Sequence, residues 1–316
     1  GSETLGQSVS STFNNKNVGT GKTVTVNSIT LSDGSNGGLA SNYTISAGQT
    51  TTANIAGKAL TVSGITAPNK TYDGNTNAPL DVSSISYSGL VSGDDIGGSF
   101  SGTFENKNIG TGKTVTISSS YSGVDSGNYS VTDQSSTTAN ITTRDLTVSG
   151  LIASNKTYDA TTSATLDTSS VSYAGLVSGD SFSGSYTGTF NDANVGTSKL
   201  VNISSSYSGN DINNYSITGQ SSTGADITKA SPTISGLSNQ SKYSDENYTL
   251  AGVPSISGLS ISYSSDDTNV ADVDSSTGAV SILTTGTSTI TASIAATSNY
   301  NAATASYILT ISTRPV

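Results

Sequence analysis

Cysteine, histidine, methionine and tryptophan are all absent from this chain. Their absence excludes disulfides, thiolate and imidazole metal sites, and any nucleophilic mechanism that uses a histidine base or a thiol. Charge is also scarce, at 11% of residues, with 22 acidic against 12 basic side chains and a net charge of −10. Nucleic acid and anionic lipid both demand clustered Lys and Arg, so neither is expected as a partner. No apolar run reaches the length of a membrane span, and no membrane insertion is expected of this segment. Signals for helix are few. Apolar residues make up only 32% of the sequence, which alone would suggest disorder, but they recur in regular alternation and so predict thin folded cores.

Thr, Ser, Val, Ile and Tyr fill the place of the missing types. In Lys113-Thr-Val-Thr-Ile117 the residues Val115 and Ile117 share one face, and in Asn128-Tyr-Ser-Val131 the pair Tyr129 and Val131 does the same. Ser-Gly, Gly-Asp and Asn-Lys separators fall every eight to twelve residues or so, the spacing of an all-β sandwich or small barrel. Six or seven short strands are predicted per unit, around 60–63, 85–87, 98–104, 114–118, 129–132 and 138–141.

Residues 58–143 and 144–229 are the same unit written twice, with about 54 of 86 aligned positions identical. A period this faithful predicts a string of similar modules and not one catalytic globule. Residues 1–57 match only the back half of the unit: Thr12-Phe-Asn-Asn-Lys-Asn-Val18 returns as Thr103-Phe-Glu-Asn-Lys-Asn-Ile109. The Leu-Thr-Val-Ser-Gly and Tyr-Asp-Gly strands of the front half have no counterpart there. Residues 230–316 open in register, with Ser231-Pro-Thr-Ile-Ser-Gly236, and then diverge completely from the repeat. Gly1-Ser2 reads as a cloning scar on a segment of something longer. The expected architecture is an elongated tandem array of small β-sandwich (Ig-like) domains over 1–57, 58–143, 144–229 and 230–316. Linkers of two or three residues between them predict a stiff rod.

Asn69-Lys-Thr-Tyr-Asp-Gly74, its copy Asn155-Lys-Thr-Tyr-Asp-Ala160, Gly89-Leu-Val-Ser-Gly-Asp94 and Gly175-Leu-Val-Ser-Gly-Asp180 together resemble the YDG repeat family. Ile261-Ser-Tyr-Ser-Ser-Asp266, Val270–Val280 and Asn299-Tyr-Asn-Ala302 are similar to bacterial immunoglobulin-like or MBG-type domains. The resemblances imply large bacterial surface or secreted adhesins, an extracellular location and a non-catalytic stalk or spacer. Two other roles are compatible with the sequence: a glycan or host-surface binding module, and a filament subunit whose segment 1–57 receives strands from another chain.

Asp73 and Asp159 suit tight turns, because Asp bonds its own backbone two residues on. Ala160 in the second copy implies that this turn needs no glycine angle. Ser181, in Gly179-Asp-Ser-Phe-Ser-Gly184, superficially matches a hydrolase nucleophile, but its repeat partner is Asp95 and no histidine exists. No catalytic or cofactor-binding residue is assigned. Asp94, Asp95, Asp180, Asp272 and Asp274 form oxygen-rich turns in which calcium is the one conceivable cofactor, although no EF-hand spacing is present. Lys70 and Lys156 raise an isopeptide cross-link to an Asn or Asp, which needs an acid beside them, and Glu105 becomes Asn191 in the second copy. Tyr87, Tyr173, Tyr129 and Tyr215 alternate with Ser and are expected to pack inward with hydroxyls at the rim.

Overall fold

The computed structural model describes all 316 residues and is all-β apart from three short 3₁₀ turns. The chain forms two compact units. The first comprises Gly1–Arg144 with the short segments Val177–Asp180 and Asn213–Ser216. The second comprises Asp145–Leu176, Ser181–Ile212 and Ile217–Val316.

The first unit begins with a three-stranded antiparallel sheet of β1 (Gly6–Phe13), β2 (Gly19–Ser32) and β3 (Thr50–Ile55). The next strands are β4 (Lys58–Ser63), β5 (Lys70–Thr71), β6 (Asn77–Ala78), β7 (Ser86–Ser88), β8 (Gly97–Phe104), β9 (Gly110–Ser122), β10 (Tyr129–Thr132) and β11 (Ser136–Thr142). They make two sheets, β5-β11-β9-β8-β6 and β10-β4-β7. The pairs β5/β11 and β4/β10 run parallel and the others antiparallel. Alternation in β9 buries Lys113, Val115 and Ile117 on one face, as period two requires. Val62, Ile65 and Ile117 form the centre of the core, with Leu80, Tyr87 and Phe100 packed against them.

The same sequence in the first sheet lacks this cover. Phe104 is 2% exposed, whereas its counterpart Phe13 is 40% exposed. Val115 is fully buried, and its counterpart Val24 only half-buried. The physical cause is the missing front half, whose strands supply the opposite sheet.

The second unit repeats the pattern with β12 (Arg144–Ser149), β13 (Ile152–Ala153), β14 (Lys156–Thr157), β15 (Ser163–Ala164), β16 (Leu166–Asp167), β17 (Ser172–Ala174), β18 (Ser183–Phe190), β19 (Gly196–Ser208), β20 (Tyr215–Thr218) and β21 (Ser222–Thr228). A five-stranded sheet β14-β21-β19-β18-β15 carries the buried Phe190, Val201 and Ile227. Polar side chains replace apolar ones at strand ends. Gln220 Nε2 donates to Leu151 O at 2.8 Å while Leu151 N donates to Gln220 Oε1 at 2.9 Å, and Gln134 does the same for Ile65. Such amide bridges satisfy backbone groups that a thin core leaves exposed to competition from water.

A β-bulge recurs at one place in all three YDG-like sheets. Gly21 (φ 62°), Gly112 (φ 59°) and Ser198 (φ 48°) adopt the left-handed conformation, and their N–H groups donate to Asn54, Asn140 and Asp226 Oδ1. Ser198 pays the steric cost that glycine avoids.

The last nine strands begin with β22 (Ile234–Ser235), β23 (Gln240–Tyr243), β24 (Tyr248–Thr249) and β25 (Val253–Pro254). They continue with β26 (Ser262–Ser265), β27 (Ala271–Val273), β28 (Ala279–Ile282), β29 (Gly286–Ile294) and β30 (Ala303–Ser312). The sheets are β23-β30-β29-β26, β24-β28-β27 and β22-β25, around buried Ile290, Ala292, Tyr307 and Leu309. The sequence diverges from the repeat here, yet part of the strand pairing is shared. β23 pairs parallel with β30 as β5 does with β11. Asn239 Oδ1 accepts from Ile308 N at 2.9 Å, as Asn69 does from Asn140 N and Asn155 from Asp226 N. Side chains changed while part of the pairing scheme and one exposed edge amide stayed.

Candidate functional site

The Tyr-Asp turns are built alike in both copies. Asp73 Oδ1 accepts from Asn75 N at 3.2 Å and Asp159 Oδ1 from Thr161 N at 2.9 Å, the turn chemistry expected of Asp. The expectation that no glycine angle is needed is wrong: Gly74 has φ 81° and Ala160 has φ 64°. The second copy keeps the left-handed turn and bears the strain of an alanine in it.

Each turn holds a lysine. Lys70 Nζ donates to Asp73 Oδ1 at 2.8 Å and to the carbonyls of Asn75 and Asn77 at 2.9 Å, and lies 5.4 Å from the Phe104 ring centroid. Lys156 repeats the arrangement with Asp159, Thr161, Ser163 and Phe190. Burial favours the neutral form of Asp73, but Lys70 and the Asn75 N–H outweigh it and hold the carboxyl below its ordinary value. Asp159 is lowered to about 2 by Lys156 and the Thr161 N–H. An ionised carboxylate facing an ammonium is a salt bridge; an isopeptide reaction needs the amine neutral and an acid protonated.

The tyrosine of each turn faces a later Asn-Tyr dipeptide. Tyr72 is fully buried and meets Tyr215 edge-on, with ring centroids 5.5 Å apart. Asp180 lies beneath them and accepts from Tyr215 OH at 2.5 Å, Tyr72 OH at 2.8 Å and Lys107 Nζ at 3.0 Å. Ile109 N donates to Asn214 Oδ1 at 3.0 Å, and Asn214 Nδ2 donates to Asn108 Oδ1 at 3.2 Å.

The same clasp recurs twice. Between the first sheet and the first full repeat, Val18 N donates to Asn128 Oδ1 at 2.9 Å and Asn128 Nδ2 to Asn17 Oδ1 at 3.2 Å. Lys16 Nζ donates to Asp94 Oδ1 at 2.8 Å and sits 2.8 Å from Asp125 Oδ1, while Tyr129 OH donates to Asp94 Oδ2 at 2.6 Å. Inside the second unit, Val195 N donates to Asn299 Oδ1 at 3.0 Å, Asn299 Nδ2 to Asn194 Oδ1 at 3.1 Å, and Tyr158 meets Tyr300 edge-on at 5.3 Å. Ala193 stands there in place of the lysine.

The charges follow from this geometry. Burial opposes ionisation of Asp180, but Tyr215, Lys107 and Tyr72 hold its carboxyl below the usual range. Burial, then Asp180, pushes Tyr215 up to about 12 and raises Tyr72. Lys16, then Tyr129, lowers Asp94. Tyr129 and Tyr215 therefore serve a junction carboxylate, whereas Tyr87 packs inward on the core as expected. Asn128, Asn214, Asn299, Lys16 and Lys107 carry the clasps without belonging to any motif of catalytic or metal-binding chemistry. The asparagines share an Asn-Tyr dipeptide, present at 42–43, 128–129, 214–215, 247–248 and 299–300, and the lysines share an Asn-Lys-Asn stretch at 15–17 and 106–108.

The remaining acidic turns are occupied by their own backbones. Asp95 N donates to Asp125 Oδ2 at 3.0 Å, and Ser181 N to Asp211 Oδ2 at 2.9 Å. Asp272 Oδ1 accepts from Val273 N, and Asp274 Oδ1 accepts from the N–H and hydroxyl groups of Ser276 and Thr277 in the β27–β28 hairpin. The Thr277 hydroxyl and N–H together hold Asp274 far below its ordinary value. No three acidic side chains converge on a point where a metal ion would be held, and no helix is long and apolar enough to cross a membrane.

Small paired sheets joined by a recurring polar clasp define a tandem β-sandwich repeat protein. A model of the YDG domain matches residues 1–53, 56–139 and 142–224, and the chain belongs to that family. No curated protein matches the sequence. Among solved structures, Drosophila N-cadherin EC1-3 is similar at 8% identity, over 79% of this chain and 98% of that one, with a TM-score of 0.25. A SusE-like, surface-located polysaccharide-binding protein from the Bacteroides thetaiotaomicron heparin utilisation locus is similar at 10% identity, over 97% and 55%, with a TM-score of 0.22. An S-layer protein, SbsC, is similar at 15% identity, over 93% and 45%, with a TM-score of 0.24.

Proposed function

We propose that this chain is a non-catalytic spacer segment of an exported bacterial surface protein, in which each repeat clasps an Asn-Tyr dipeptide of the sequence that follows it. The observation that carries the reading is the clasp, written three times with the same atoms: a Val or Ile N–H to an Asn side chain, and that side chain to the Asn just before the Val or Ile. A module evolved to bind a foreign ligand would place its variable polar groups outward. Here the repeated Asn, Tyr and Asp groups are spent on the chain itself, and three close hydrogen bonds on one buried carboxylate favour a fixed relation between neighbours. The net charge of −10 keeps copies of one sign apart and soluble. The terminal unit is read as an immunoglobulin-like or MBG-type domain, supported by its β23/β30 and β29/β30 pairing.

The test is mechanical. In single-molecule extension, N128A, N214A and N299A are expected to lower the force at which the adjoining unit yields, each without changing the unfolding of distant units. Equal forces in all three variants and the parent would remove the spacer reading. A glycan array with the full chain addresses the binding-module role, since a spacer gives no saturable signal.

A further inference from the structure

The two full repeats keep Asn128-Tyr129 as Asn214-Tyr215 and Asp94 as Asp180, but they differ at the flank of the sandwich beside β8 and β18. In the first repeat a cleft of about 470 Å³ lies there, and every residue around it is uncharged. Its apolar lining is Pro79, Leu80, Val82 and Phe100, and Val82 is 41% exposed. In the second repeat Thr165, Thr168 and Tyr186 stand at the places of Pro79, Val82 and Phe100. There the flank is bridged: the hydroxyls of Tyr173 and Tyr186 meet at 3.3 Å. Phe182, in place of Ile96, packs on Tyr173 and Tyr207 with ring centroids 5.1 and 5.5 Å away. The same fold thus forms with a polar, bridged flank, so folding does not require the open apolar lining of the first repeat. Apolar surface left open without a folding reason marks an interaction site.

Beside the cleft runs an unpaired strand edge. Phe104 N donates to Thr76 O at 2.8 Å, and β6 pairs with β8 only at Thr103 and Gly102. Backbone groups alternate in direction along a strand, so those of Phe100 and Gly98 face the same way as those of Phe104. By then β6 has ended at Ala78, and β8 has no other neighbour on that side. The ladder stops with the N–H and C=O groups of Phe100 and Gly98 free of any strand. Gly98 keeps this edge low, since a Cβ there would lie 2.6 Å from Phe100 Cζ.

We propose that the β8 edge and this cleft of the first full repeat bind an extended, uncharged peptide strand of another protein. The strand runs antiparallel to β8 in line with β6 and exchanges backbone hydrogen bonds with Phe100 and Gly98. Directly opposed residues point to one face, so its residue opposite Gly98 lays an apolar side chain into the cleft. Charge selects this occupant: an uncharged lining leaves a charged side chain unpaired, and the net charge of −10 opposes a second molecule of this chain. The lining also disfavours a glycan, because Asn77 and Ser101 are its only polar side chains. No clasp residue takes part, so the site is independent of the spacer role.

The test titrates the capped peptide Ser-Val-Thr-Val-Thr-Val-Ser into the full chain and follows amide NMR. Saturable one-to-one shifts at Leu80, Gly98 and Phe100 are expected, with slowed exchange of the Gly98 and Phe100 amides. N-methylation of the Val amides, which face β8, should abolish binding, whereas N-methylation of the Thr amides, which face away, should leave it. A P79T/V82T/F100Y chain carries the residues with which the second repeat folds, and it should bind roughly tenfold more weakly or worse, as changes in an apolar pocket do. Absence of binding up to ~1 mM overturns the proposal, as does equal affinity of the Val-methylated peptide or of the triple variant. Shifts at Gly98 and Phe100 that grow with protein concentration alone would assign the edge to a second molecule of the chain. Larger shifts with cellohexaose than with the peptide would assign the cleft to a glycan, and either result overturns the peptide site.

Discussion

Asp180→Ala tests the junction most sharply, because one carboxylate with a 3% exposed side chain serves three donors. Its loss takes the acceptor from the hydroxyl protons of Tyr72 and Tyr215, at 2.8 and 2.5 Å, and removes one partner of Lys107. An unsatisfied buried hydroxyl costs about 1–3 kcal/mol. Lys107 is 36% exposed and can turn to water, so its contribution is that of a screened surface pair, about 0–1 kcal/mol. The sum is about 2–4 kcal/mol after allowing one tyrosine to relax towards solvent. Because several units unfold separately, the loss should be read locally, as faster amide exchange at Ile109, Val177 and Tyr215 under native conditions. Asp180→Asn keeps an acceptor but not the charge and should lose about half as much. Y72F in the D180A background should recover part of the loss, since one stranded hydroxyl is gone, whereas Y215F should not, because Tyr215 OH also accepts from Val177 N at 2.9 Å. A change below about 0.5 kcal/mol in D180A, within the ordinary range for a surface position, would refute the claim that this carboxylate holds the junction.

Ala160→Gly should stabilise the second repeat by ~0.5–1 kcal/mol, the left-handed penalty relieved less the added entropy of the unfolded chain; urea midpoints of A160G check it, and no gain would mean that Ala160 is unstrained. G74A should lose stability, since a Cβ there would lie 2.7 Å from Val177 Cγ1 in addition to the unfavourable angle. Acid sensitivity follows from Asp159, lowered from 3.8 to about 2, and from the lowered Asp180: their contribution is complete above pH 3.8 and is lost as pH falls towards 2. At the alkaline end Tyr215 is raised from 10.0 to about 12, so its contribution is complete below pH 10 and is lost as pH rises through 12. Thermal midpoints across this range test both limbs, and an acid limb starting above pH 5 would contradict the assignment. Ala193→Lys should bring no stabilisation, because the Asn299-Tyr300 clasp presents no counterpart of Asp94 or Asp180; a clear gain in melting temperature would show that an acceptor exists there.

Strand placement was legible where side chains alternate. Leu60–Ser63, Gly98–Phe104 and Tyr129–Thr132 fall in observed strands, since period two follows from the local backbone. β9 extends to Gly110–Ser122, well beyond the expected 114–118. Its Ser119-Ser120 end carries no hydrophobic signal and is a strand only because β8 pairs with it throughout. The left-handed turn at Ala160 could not be read from an alanine. A residue's tolerance of that angle depends on what the surrounding strands impose.

The junctions divide in the same way. Repetition alone showed that like repeats follow one another, and with the absence of histidine it argued against Ser181 as a nucleophile, since Asp95 stands at its place in the first copy. Those conclusions need only comparison of copies along one chain. That Asn128, Asn214 and Asn299 each reach an N–H more than a hundred residues away in sequence was decided by tertiary structure. So was the meeting of Tyr72 with Tyr215 over Asp180. A hydrogen bond needs atoms within about 3 Å, and which atoms come that close is set by how folded units abut, a property that no local pattern of residues carries.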